Sequence, residues 1–131
     1  MTNLFSTVIT VAHLAALAQL ESGNQPDAVG AAGEITAYQV CPKVLSEQGF
    51  TVASLAGERS AALVVQIIWQ RRVNHFVITH QRQPRAAEIY LLWHRPARVL
   101  SPKARERARA VRFENLWVAE VNHQGTKTPR K

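Results

Sequence analysis

Apolar side chains recur at three- and four-residue steps along most of the chain, the spacing that gives a helix one core-facing stripe. Leu4, Val8, Val11, Leu14, Leu17 and Leu20 form the first such series and predict a helix over about 4–20. Ser22-Gly23-Asn24 follows as its stop, with Gly23 able to take the left-handed conformation of a helix end. Residues 22–36 are rich in Gly, Asn, Pro and Asp and read as an ordered loop or a short hairpin. Pro42 opens a short helix to about Gln48. The longest helical signal runs from Ser54 to about Gln81, with Leu55, Ala62, Val65, Ile68, Trp69, Val73 and Phe76 as apolar positions. Gln83-Pro84 breaks it, and Pro84 suits the first turn of a helix that ends near Leu92, before Pro96. Ser101-Pro102 reads as an N-cap with Pro at the first helical position, opening a last helix to about Val121. The expected class is mainly α, with one domain over 1–121 and a basic, flexible tail over 122–131.

Composition agrees with one packed domain: 131 residues, of which 47% are hydrophobic, can build a single core. Charge adds a polarity that the apolar pattern lacks. Residues 1–70 hold two basic and five acidic side chains, a balance of −3; residues 71–131 hold fourteen and four, a balance of +10. A basic half fits a polyanion such as nucleic acid, anionic lipid or peptidoglycan, and equally a solvated helix face. Cys41 is the only cysteine, which excludes an intrachain disulfide. The apolar start has no Lys or Arg ahead of it and is interrupted by His13, so it reads neither as a signal peptide nor as a membrane span. His75 and His80 lie five apart and do not share a helix face. With no phosphate loop and no Ser-His-Asp elbow in the chain, neither a metal nor a cofactor is expected.

Glu21 is the residue whose position suggests chemistry. It stands at the predicted C-terminus of the first helix, where the helix dipole disfavours a negative charge. Burial against the following loop would act the same way, and a carboxylic acid kept protonated can protonate the leaving oxygen of a glycosidic bond. An exposed, incidental carboxylate fits this one feature as well.

A wider pattern bears on that choice. Leu17 to Gly30, LAQLESGNQPDAVG, followed by Ala37-Tyr38-Gln39-Val40, resembles the soluble lytic transglycosylase and goose-type lysozyme family. Ile89 to Val99, IYLLWHRPARV, resembles that family's Ala-Tyr-Asn-Ala-Gly-Pro-Gly-Arg-Val segment, and Arg112 to Leu116 resembles its closing Arg-Val-x-Asn-Leu. The family's Gly falls at Thr36 and its Tyr-Asn pair at Trp93-His94. The resemblance implies a lysozyme-like helical domain and cleavage of the MurNAc-GlcNAc β-1,4 bond of peptidoglycan, with Glu21 as general acid and base. It implies Ser22, Thr36, Tyr38, Gln39, Trp93 and His94 as substrate-binding residues. It implies a cell-envelope or secreted setting and peptidoglycan strands rather than nucleic acid as partner; a monomer is expected. A transglycosylase needs one carboxylate; a muramidase needs a second group, for which Glu34 is the candidate ahead of Asp27. Two other readings stand beside these. One is a lysozyme-like domain that binds glycan without turnover. The other is a nucleic-acid-binding helical protein resting on Lys103, Arg105, Arg107, Arg109 and Arg112.

Overall fold

The computed structural model describes residues 5–126, with side chains through His123. It is mainly helical: α1 (Val11–Ser22), α2 (Pro42–Glu47), α3 (Glu58–His80), α4 (Ala86–His94) and α5 (Ala104–Thr126). Short 3-10 turns precede α3 at Val52–Leu55 and follow α4 at Pro96–Arg98.

Helix α3 forms the spine. Ala61, Val64, Val65, Ile68, Trp69, Val73, Phe76 and Val77 bury one face at helical spacing. Trp69 lies at the centre with no exposed surface, and its indole N–H donates to Ile89 O at 2.7 Å, tying α3 to α4. The rings of Trp93, Phe113 and His13 surround it at 5.8–6.0 Å. Helix α5 lies along α1 and α4 and closes the core with Ala110 and Phe113.

The first helix begins later than its apolar periodicity predicts. Residues 5–10 form no helix; α1 starts after Thr10, which is extended and whose hydroxyl and backbone N–H form a reciprocal cap with His13. Val8 and Val11, two members of the expected stripe, are 63% and 69% exposed. Side-chain amides explain the non-helical start. Gln70 accepts from Ile9 N and donates to Thr7 O, and Gln66 donates to Ile9 O. Gln83 accepts from Thr7 N and donates to Phe5 O. These glutamines bond the segment as a neighbouring strand would, so its backbone is satisfied without helix.

Two other expectations change. The helix predicted from Ser54 is split, because Gly57 adopts φ +86° between the 3-10 turn and α3. Helix α5 begins at Ala104 rather than at Pro102 and runs through Thr126, so residues 122–126 continue a helix instead of opening a tail. Residues 127–131 of that expected tail lie outside the described residues. Helices α4 and α5 start by one device: Glu88 Oε1 accepts from Arg85 N, and Glu106 Oε1 from Lys103 N, each at 2.8 Å.

Between α1 and α2 the chain makes a compact loop. Isolated antiparallel bridges pair Val29 with Ile35 and Ile35 with Val40, a rudimentary form of the expected hairpin. Val40 is fully buried, and Cys41 after it is exposed at the N-cap of α2.

Candidate active site

Helix α1 ends as its sequence predicts. Gly23 takes φ +64° and its N–H returns to Gln19 O and Ala18 O, closing the last turn. This fixes Glu21 within that turn, on the side facing α4 and α5. Its side chain is only 10% exposed. Tyr90 on α4 donates its hydroxyl to Glu21 Oε1 at 2.8 Å, and Arg109 on α5 donates Nη2 to Oε2 at 3.0 Å. Arg109 Nε also donates to the Tyr90 hydroxyl at 3.0 Å, closing a three-membered ring of hydrogen bonds. A charged guanidinium and a hydroxyl donor therefore offset the unfavourable helix end that the sequence alone emphasises. Burial, and next the Glu21 charge, push the Tyr90 phenol above its ordinary range, so Tyr90 stays protonated and remains a donor.

His94 extends this cluster. It lies one turn after Tyr90 on α4, its ring stacked on the Tyr90 ring at 5.3 Å and 17°. Burial holds its pKa below the ordinary imidazole value, while the Glu21 charge opposes that shift. Neither ring nitrogen has a hydrogen-bond partner among the described residues.

The remaining sequence candidates occupy other places. Ser22 Oγ donates to Ala18 O and accepts from Gln25 N, which fixes the start of the loop. Gln39 Nε2 donates to Ala28 O and Thr36 O, knitting the loop from inside. Glu34 Oε1 accepts from Ala32 N within the same turn, with no contact to Glu21. Gly30 lets these two side chains close in, since a Cβ there would collide with Gln39 Oε1 and Glu34 Oε1. Trp93 is buried against Trp69, with the Arg72 guanidinium 5.7 Å from its ring, so its indole serves the core. Arg72 also donates to Leu92 O and Trp93 O and so holds the last turn of α4 from behind.

Thr36 and Tyr38 line a cavity of about 770 Å³ between the loop and the start of α3, together with Asn24, Asp27 and Glu58. Ala18, one turn before Glu21, belongs to its wall, whereas Glu21 faces α4 and α5. Thr36 has φ +70° and Gln39 φ +53°, left-handed conformations uncommon for residues with a Cβ and costly for a β-branched one. Among the described residues no cluster of His, Cys, Asp and Glu is arranged to hold a metal ion, and no helix is long and apolar enough to cross a membrane.

Sequence reasoning singled out Glu21 and His94 but gave no role to Tyr90 and missed Arg109 as Glu21's partner. Tyr90 falls on the same face of α4 as His94 by its four-residue spacing, which is the one signal that could have found it. Comparison with known protein families, curated proteins and solved structures yields no match.

Proposed function

We propose that this chain is a lysozyme-like domain that cleaves peptidoglycan glycan strands by lytic transglycosylation at the MurNAc-GlcNAc β-1,4 bond, with Glu21 as general acid. The observation that carries this reading is the clamped, nearly buried Glu21 carboxylate at the end of α1, joined to Tyr90, Arg109 and His94. The left-handed backbone at Thr36 supports it as well, because that position corresponds to a glycine in the family this sequence resembles. The cavity beside Tyr38, whose wall includes Ala18 one turn before Glu21 but not Glu21 itself, offers an aromatic side and several polar groups for a sugar.

In this mechanism Glu21 protonates the bridging oxygen, the muramic N-acetyl group assists departure, and the sugar's own 6-hydroxyl closes a 1,6-anhydro ring. Both Glu21 oxygens carry a donor in the free protein, so the glycosidic oxygen must take the place of Arg109. The Arg109 side chain is 32% exposed and has solvent into which to withdraw.

Digestion of purified sacculi tests the proposal. Anhydromuropeptides are the expected products, and Glu21→Gln should abolish their release. Reducing ends instead would replace transglycosylation by muramidase action. Glycan binding without turnover would favour a binding domain, a reading to which the occupied carboxylate oxygens lend weight. Salt-dependent DNA binding without lysis would favour the nucleic-acid alternative.

A further inference from the structure

Transglycosylation by a single carboxylate requires it to give a proton to the leaving oxygen and then accept one from the attacking hydroxyl. Glu21 is poorly placed for both tasks, since Tyr90 occupies one oxygen and Arg109 the other. Resting on that reading, we propose that His94 is a second catalytic residue, the base that accepts the proton of the attacking hydroxyl while Glu21 protonates the leaving oxygen.

Three observations support the assignment. The His94 ring stacks on the ring that holds Glu21, so the imidazole and the carboxylate belong to one side-chain assembly. Its two nitrogens have no protein partner among the described residues, so they are available to a substrate hydroxyl. The other candidate for a second group, Glu34, is tied to Ala32 N inside its own turn. The charged groups around His94 come from the neighbouring elements: Glu21 from α1, Arg95 just beyond its own helix, and Glu106 and Arg109 from α5; Tyr90, under its ring, is the neutral titratable neighbour. Burial is the largest influence and, with Arg109 and Arg95, outweighs the opposing Glu21 and Glu106 charges, which favours the neutral imidazole, the form that can accept a proton.

The proton balance closes. Once the glycosidic oxygen displaces Arg109, Glu21 takes up a proton from solvent and transfers it to the bridging oxygen as the C1–O bond breaks. The 6-hydroxyl oxygen forms the new bond to C1, and its proton passes to the His94 imidazole. The imidazolium then returns a proton through solvent to the Glu21 carboxylate.

The test compares wild type, His94→Phe and His94→Asn on sacculi, with folding checked by circular dichroism. Phe keeps the stack on Tyr90 without a proton acceptor, and Asn restores the family's side chain. Both should lower kcat by about 100-fold or more with KM little changed. The acid limb of the wild-type kcat profile, with a midpoint below the ordinary imidazole value, should be absent from both variants. Wild-type kcat in either variant, or an unchanged acid limb, would overturn the assignment while leaving the transglycosylase reading intact. Full activity of Glu21→Gln, or no glycan release by wild type, would overturn the parent reading and this one with it.

Discussion

Single residues carry both the site and the strain beside it. Thr36 holds φ +70° with a branched side chain; its Oγ1 accepts from Tyr38 N at 3.2 Å, and its carbonyl accepts from Gln39, which offsets part of the cost. Thr36→Gly should raise stability by about 1 kcal/mol, read as a higher Tm; a lower Tm would mean that the hydroxyl contact outweighs the strain. Tyr90→Phe removes one donor from Glu21 and leaves Arg109 Nε without its acceptor. It should lower stability by about 1–3 kcal/mol, measured by urea denaturation. His13 gives a pH dependence. Burial lowers its pKa to about 4, and its Nδ1 accepts from Thr10 N, so protonation would break the cap of α1. The unfolded chain takes up this proton first, near pH 6.5, so the stability due to His13 is complete above that value and lost as pH falls towards 4. The loss is about 3 kcal/mol. His13→Gln keeps an acceptor at this position and should show a smaller drop in urea midpoint between neutral pH and pH 4.5. An identical drop would assign the acid sensitivity elsewhere.

At the scale of elements, hydrophobic spacing located α1 and α3, proline and cap signals located α2, α4 and α5, and the differences lie mostly at the ends and at the 3-10 turns. The stripe through Val8 and Val11 has helical period yet faces water, because what decides the start of α1 is the Thr10–His13 cap and the amides of Gln66, Gln70 and Gln83. Those glutamines come from more than fifty residues away, and local periodicity has no access to them. The Gly57 break is legible only as a glycine whose left-handed conformation competes with a helical run. Gln70→Ala should release residues 5–10, costing about 2 kcal/mol and speeding hydrogen exchange at the Ile9 amide. Unchanged exchange there would show that packing of Ile9 alone holds the segment.

Across the whole molecule, the charge asymmetry of the chain becomes a contact. Glu21 belongs to the acidic part of the sequence and Arg109 to the basic part, and α5 brings them together because it packs on both α1 and α4. The Glu21 half of the site was therefore legible in sequence, as a carboxylate before a helix stop. The Tyr90–Arg109 half depends on tertiary packing across separations of 69 and 88 residues. Arg105 and Arg112 remain exposed on α5. Under the proposed function they add attraction to an anionic wall, so binding to sacculi should weaken as salt rises, and Arg105→Glu with Arg112→Glu should flatten that salt dependence. A pelleting assay across ionic strengths measures it; identical curves would leave these arginines a solvated face.

The exposed thiol of Cys41 offers a means of watching the loop at work. It is the single cysteine, makes no side-chain cap to α2, and follows directly on the buried Val40 that anchors the loop. A maleimide dye can therefore be attached at one defined point without altering the sequence. Its fluorescence would report, on the timescale of mixing, whether soluble glycan fragments shift the segment bearing Thr36 and Tyr38.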